Sequence, residues 1–321
     1  MKAAVVKGAG ESPVYMEFKA PHAMPGHRVV DVTASALSRL AQGRASGTHY
    51  SSGSGYPFVV GVDGVGRLDD GQRVYIFGAP APFGTMAERT IVPDAQCVPL
   101  PDGLDDVTAA AIAIPGMSSW AALIERARFV AGETVLVNGA TGTSGRLAVR
   151  IARHLGAAKV IATGRNAVAL QALLSAGADA VVSLQQDDAD LARALGPHFR
   201  AGVDVVLDYL WGATAQALLI AAARAAPDGR RLRFVQIGSM GGADVLLPGA
   251  VLRATAIELM GSGIGSVSPA GLLAAVRGVF AAAGPARLTI ETRAVPLSAV
   301  GEHWTDANSL VRPVFTMRDG A

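Results

Sequence analysis

The spacing of apolar and polar positions divides the chain into two rhythms. From Met1 to about Gly116, short apolar runs alternate with breaks rich in Gly and Pro, which predicts strands over 3–6, 28–34, 64–68, 73–77 and 90–93. Residues 46–55, SGTHYSSGSG, read as an exposed loop of the kind that walls a site on a rigid scaffold. Residues 105–128 are rich in Ala and predict a helix, with a break expected near Pro115 and Gly116 where one domain gives way to the next. From Glu133 onward strands and helices alternate. Strands are expected over 135–138, 159–163, 180–183, 203–208 and 232–237, with Ala-rich helices between them and a further helix over 268–283. Residues 288–295 and 311–317 are strand-like again and are expected to return to the first domain. The pattern predicts an α/β chain: a doubly wound parallel sheet joined to a mainly β domain.

One stretch organises the second rhythm: residues 134–166, TVLVNGATGTSGRLAVRIARHLGAAKVIATGRN. Val135, Leu136 and Val137 form the apolar run of a strand covered on both faces. Gly139, Gly142 and Gly145 then fall three apart, with Thr141, Thr143 and Ser144 between them. Glycine belongs where a phosphate presses on main chain, and the following helix start offers unpaired N–H groups and the positive end of its dipole. Leu147, Ile151 and Leu155 mark that helix, which stops at Gly156. Such a crossover binds a dinucleotide at the carboxyl ends of its strands. The G-x-G-x-x-G fingerprint is imperfect, because Ala140 stands at its first glycine. The bland alternative is an ordinary strand-to-helix turn. A P-loop is excluded, since Arg146 and Leu147 follow Gly145 in place of Lys and Ser or Thr. The second strand ends in Thr163, Gly164, Arg165 and Asn166 with no acid near. An acid there would hold the ribose of NAD; an arginine can grip a 2′-phosphate, so the expected cofactor is NADP(H), the alternative being a solvated arginine.

The 321 residues suit two domains, and 50% apolar with 17% charged residues marks a globular chain. A net charge of +2 with interspersed signs gives no basic stripe, so neither nucleic acid nor a membrane surface is an expected partner. Cys97 is the sole cysteine, which excludes an intrachain disulfide and a four-thiolate zinc site in a monomer. No run of about 18 apolar residues is evident and the N-terminus alternates like a strand, so a cytoplasmic protein is expected. His22, His27, His49, His154, His198 and His303 are scattered without ligand spacing. No Ser-His-Asp spacing or carboxylate pair suggests hydrolysis. A Tyr-x-x-x-Lys at Tyr15 and Lys19 precedes the glycine turn, the wrong order for a short-chain reductase.

Three stretches in fixed order now carry a resemblance: PFVVGVDGVGRL from Pro57, the glycine turn, and FVQIGSMGG from Phe234. With AAIAIPGMSSWAAL before the cofactor domain and AVPLSAVGEHW near the end, the chain resembles the medium-chain dehydrogenase/reductase superfamily, and within it the zinc-independent NADPH:quinone oxidoreductases. The resemblance implies a GroES-like, mainly β catalytic domain over 1–117 and 262–321, a Rossmann NADP-binding domain over 118–261, substrate in the cleft between them, and a homodimer. It places Gly238, Ser239 and Gly261 along the cofactor and Ser118 at the domain junction. Zinc-dependent members carry Gly-His-Glu where this chain has Gly61, Val62 and Asp63, and residues 36–38 supply no thiol, so no metal is expected. Without a metal to stabilise charge on oxygen, the expected substrates are already electron-poor: quinones or α,β-unsaturated carbonyls. Tyr50, Ser38, Arg39 and Tyr56 are nominated as substrate-side donors. Two alternatives stand beside quinone reduction: an enone or enoyl-thioester reductase, and an NADPH-binding regulatory protein with little turnover.

Overall fold

The computed structural model describes residues 1–53, 55–306 and 311–317. The chain divides into two compact units, Met1–Ile114 with Thr289–Ala321, and Pro115–Leu288. The first unit contains β1 (Lys2–Val6), β2 (Val14–Glu17), β3 (His27–Ala36), α1 (Arg39–Ser46), β4 (Phe58–Val59), β5 (Asp63–Arg67), β6 (Arg73–Phe77), β7 (Arg89–Pro93) and β8 (Cys97–Pro99). Helix α2 (Asp106–Ala121) leads into the second unit. There β9 (Thr134–Asn138), α3 (Thr143–His154), β10 (Lys159–Gly164), α4 (Ala167–Ser175), β11 (Ala180–Ser183), α5 (Asp188–Ala201), β12 (Val205–Asp208), α6 (Gly212–Ala225), β13 (Leu232–Gln236), α7 (Gly249–Ala254), β14 (Ile257–Gly261) and α8 (Pro269–Ala282) follow. The chain then re-enters the first unit with β15 (Thr292–Pro296), α9 (Val300–His303) and β16 (Arg312–Thr316).

In the second unit the strands run parallel in the order β11-β10-β9-β12-β13-β14. Numbered within the unit this is 3-2-1-4-5-6, so the order reverses between β9 and β12. Val135, Leu136, Val137, Val205, Val206 and Leu207 are wholly buried, as central strands covered by helices on both faces require. In the first unit the larger sheet runs β15-β16-β3-β5-β6-β8 with β7 paired to β3, and a smaller one runs β2-β1-β4. The terminal strand β16 pairs antiparallel with β3, so the end of the chain returns to the first unit as the sequence suggests. The expected second domain line, between 261 and 262, lies ahead of α8, whereas 115–288 form one unit. Helix α8 packs on α2 so closely that a Cβ on Gly278 would fall 2.5 Å from Cζ2 of Trp120, and one on Gly116 would fall 2.7 Å from Cγ1 of Val279.

The break expected at Pro115 does not occur, because α2 runs straight through it. Pro115 has no N–H for the carbonyl of Ala111, four residues back. The buried guanidinium of Arg312 satisfies that carbonyl instead, donating through Nη1 at 2.9 Å, while its Nε donates to the carbonyl of Leu37 at 2.9 Å. The hydroxyls of Ser118 and Ser119 donate back to the carbonyl of Pro115 at 2.8 and 3.2 Å. After Ala121 the chain makes one π-helical turn, Ala122–Arg126. The combined helix Asp106–Arg126 is long and apolar enough to cross a membrane by length and composition, but 67% of its most apolar window is buried inside the protein, as in a core helix.

Arg312 also faces a buried acid. Asp63 on β5 is 1% exposed, and burial pushes its carboxyl up from 3.8 to about 7, opposed by the charge of Arg312 and the hydroxyl of Tyr75. Arg312→Leu would leave the Ala111 and Leu37 carbonyls without their donor, and the expected loss is about 1–3 kcal/mol of stability for each, read as a fall in the urea midpoint at constant slope. Because the folded-state value of Asp63 lies above its ordinary one, the folded chain holds this proton more tightly than the unfolded chain. The stabilisation is full below about pH 4 and is lost as pH rises through about 7. Thermal melts between pH 5 and 8 should show that fall in wild type, and Asp63→Asn should flatten it.

Candidate functional site

The second unit gathers its glycine-rich turns at the carboxyl ends of its parallel strands. Gly139, directly after β9, takes φ +86°, a left-handed conformation that glycine adopts without strain. Ala140, in contrast, is fully buried and uses its N–H to hold the carbonyl of Thr163 at 2.8 Å. The conformational demand therefore falls one residue before the fingerprint's first glycine, and Ala140 is tolerated. Gly142 is the N-cap of α3 and brings no side chain to accept from the first-turn amides. Gly145 lies in that first turn, where a Cβ would fall 2.6 Å from Cα of Ala140 and nearer still to the Gly139 carbonyl oxygen. The turn is thus main chain pressed on main chain, with first-turn N–H groups left for an anion.

A hydrogen-bonded chain that the sequence does not reveal holds this turn from behind. Thr163 Oγ1 donates to Asn138 Oδ1 at 2.6 Å, and Asn138 Nδ2 donates to Asp208 Oδ1 at 2.8 Å. Asp208 in turn accepts from the N–H groups of Leu210 and Trp211 at 3.1 Å. All three side chains are buried and stand at the ends of β10, β9 and β12. Burial raises the carboxyl pKa of Asp208, while the bonds from Asn138, Leu210 and Trp211 oppose that rise. The loop after β12 completes the arrangement: a Cβ on Gly139 would meet Leu210 Cγ at 2.9 Å, and one on Gly238 would meet the Tyr209 carbonyl at 2.7 Å. Tyr209, pushed up to about 12 by burial, shares a 2.7 Å hydrogen bond with Ser119. The only available signal for this network is a polar residue ending each of three apolar strands.

The residues nominated for the cofactor take the following positions in the second unit. Thr141, Thr143 and Ser144 border the glycines, and Gly164 ends β10 so close to Thr141 that a Cβ would lie 2.5 Å from its Cγ2. Arg165 is exposed just beyond β10. Asn166 caps α4, accepting from Ala169 N at 2.9 Å, so its side chain has a structural task. Gly238 and Ser239 follow β13, Gly261 ends β14, and Ser118 lies in α2.

In the first unit a recess of about 630 Å³, counting space open to solvent, is walled by Ala41, Arg44, Phe58, Val60, Val62 and Phe83 among others. None of Ser38, Arg39, Tyr50 and Tyr56 is among its wall residues. Ser38 is the N-cap of α1, accepting from Ala41 N at 3.1 Å. Arg39 is exposed in that helix's first turn. Tyr50 is 71% exposed and stacks on His49 with ring centroids 4.1 Å apart. The Tyr56 hydroxyl donates to the Ala45 carbonyl at 3.1 Å, and its ring packs on Phe58. Arg44 is the cation that sequence reasoning passes over, because the pattern across α1 reads as part of an irregular stretch.

Zinc does not fit the described residues. Val62, 4% exposed, stands where the resemblance puts a ligand histidine, and Asp63 next to it is fully buried in the field of Arg312. Among the described residues no three His, Cys, Asp or Glu side chains converge to hold a metal ion.

Comparison with known proteins agrees with this geometry. A family model described as zinc-binding dehydrogenase matches residues 145–277, a segment inside the second unit that excludes Gly61–Asp63. The protein named "Probable NADPH-dependent quinone reductase tdiC" from Emericella nidulans is 29% identical over 339 residues, covering 92% of this chain and 94% of that one. The solved quinone oxidoreductase from Thermus thermophilus superposes with a TM-score of 0.81 at 25% identity, covering 99% of this chain and 100% of its own. Trans-enoyl reductase pgmF from Aspergillus terreus is 31% identical over 122 residues, which is 38% of this chain and 34% of the relative. In strand order, glycine turn and these likenesses together, the chain is similar to the quinone-oxidoreductase-like proteins of the medium-chain dehydrogenase/reductase superfamily.

Proposed function

We propose that this protein is an NADPH-dependent, zinc-independent oxidoreductase that reduces quinones. The observation that carries the reading is the glycine turn at the reversal point of the parallel sheet, in a chain similar nearly end to end to the protein named "Probable NADPH-dependent quinone reductase tdiC". The pyrophosphate would rest on the amides of residues 142–145, in a turn whose close packing on Gly139 and Ala140 leaves no room for a Cβ at Gly145. Arg165, exposed beyond β10, would hold the 2′-phosphate with its planar fork. Gly238, Ser239, Gly261 and Ser118 would line the remainder of the cofactor. When bound, NADPH supplies the hydride.

Phe58, Val60, Val62 and Phe83 give the first unit's recess, which is open to solvent and partly polar, apolar surface on which a flat acceptor could lie. A quinone needs alignment and donors for its developing oxyanion, not a Lewis acid, so the replacement of a ligand histidine by Val62 is compatible with turnover. A second reading, reduction of an enone or enoyl thioester, is favoured by the likeness to trans-enoyl reductase pgmF.

Steady-state NADPH oxidation with 9,10-phenanthrenequinone, 1,4-benzoquinone and 2-cyclohexenone is expected to show turnover with the quinones. Turnover with the enone alone would favour the second reading. Chelators should leave the rate intact, and stoichiometric zinc in the purified protein would overturn the metal-free assignment. Arg165→Ala should weaken NADPH binding by about tenfold or more and leave NADH binding nearly unaltered, as only the former carries the phosphate. Equal losses for both nucleotides, measured by fluorescence titration, would remove Arg165 from that role.

A further inference from the structure

Arginines withdrawn from water in this chain are generally tied to oxygen. Arg73 meets Asp106, Arg233 meets Glu133, and Arg312 meets two carbonyls and the field of Asp63. Arg44, in the last turn of α1, departs from that habit. It lines the recess, and among the described residues neither a carboxylate nor a carbonyl accepts from its guanidinium. Burial draws its pKa downward, and its charge helps draw down that of His49 nearby. Its place at the carboxyl end of a short helix is favourable for a cation but satisfies none of its five donors. A half-buried arginine that lines the same recess as Phe58, Val60, Val62 and Phe83 sets a charge-assisted donor group beside apolar side chains.

We propose that Arg44 is a specificity-determining residue that receives an oxyanion carried on the substrate. The preferred substrate class is then a flat, conjugated ring with an anionic substituent, either a carboxylate or the ionised hydroxyl of a hydroxyquinone. The apolar walls take the ring while the guanidinium takes the negative oxygen, bidentate where the group is a carboxylate. This proposal rests on the quinone-reductase reading for its substrate class. The binding subsite itself follows from the recess and Arg44.

Calorimetric titration separates the two. The probes are 2-naphthoate for the carboxylate, 2-hydroxy-1,4-naphthoquinone for the ionised hydroxyl, and neutral 1,4-naphthoquinone and 2-naphthol as their uncharged counterparts. Wild type is expected to bind at least one anionic probe about tenfold or more tightly than its neutral counterpart. Which anionic probe holds the larger preference identifies the oxyanion. In Arg44→Leu that preference should collapse towards unity, and Arg44→Lys should retain part of it, because a point charge keeps the attraction and loses the fork. Melting curves check that both variants fold. Absence of preference in wild type, or a preference that survives Arg44→Leu, overturns the proposal. NADPH-dependent reduction of 1,4-naphthoquinone by wild type tests the quinone reading separately. If turnover is absent while the Arg44-dependent preference persists, the quinone reading falls and the anion subsite stands.

Discussion

The cofactor half of this protein is governed by how closely the first turn of α3 approaches the turn that precedes it. At Gly145 no side-chain atom can be placed, since main chain of Ala140 and Gly139 already occupies the volume. That approach sets the direction of α3, and with it where the helix's unpaired amides point. It is stable because the three strand ends behind it are joined by Thr163, Asn138 and Asp208. Asp208 gains two N–H donors from the loop after β12, so the two sides of the sheet's reversal point are held by one buried carboxylate. Fully partnered buried polar groups of this kind fix one arrangement, as any displaced member would leave an unsatisfied neighbour.

Which elements the sequence discloses follows from how they are buried. Strands β9, β10, β12 and β13 are apolar along most of their length because both faces are covered, and they stand out as runs. Strand β14 is an edge strand with a largely exposed pattern, and nothing in its sequence marks it. Helix α1 is equally hard to read: in RLAQGRAS only Ala41 and Ala45 are buried, too small a stripe to carry a periodicity. Pro115 misleads in the other direction. A local rule predicts a break there, but the freed carbonyl is answered by Arg312, which lies 201 positions further along the chain. No local reading reaches that far.

The site residues divide in the same manner. Glycines forced by close approach are readable from spacing alone, and Ala140 at an imperfect position is explained once the left-handed conformation is located at Gly139. Donors nominated by residue type in the first unit meet different fates, for a hydroxyl can be consumed locally. Ser38 caps a helix and Tyr56 serves the Ala45 carbonyl, tasks that composition cannot anticipate. Arg44 escapes attention for the converse reason: its importance lies in the absence of an acceptor among the described residues that surround it, and sequence does not display a missing partner.

Charge connects these observations in the recess. A zinc ion would place a concentrated positive charge on a reacting oxygen, a task for which Val62 provides no ligand. A guanidinium spreads its charge over a plane and is a weak electrophile, so Arg44 cannot replace the metal's chemistry. It can hold an anion that is already formed. An electron-poor ring that accepts hydride without Lewis-acid help, and bears its negative charge at some other atom, places the easier demand on each group: apolar contact and alignment from the walls, recognition from Arg44. On this view a valine at position 62 and the arginine at position 44 are parts of a single electrostatic solution, in which binding charge and reacting charge sit on different atoms of the substrate.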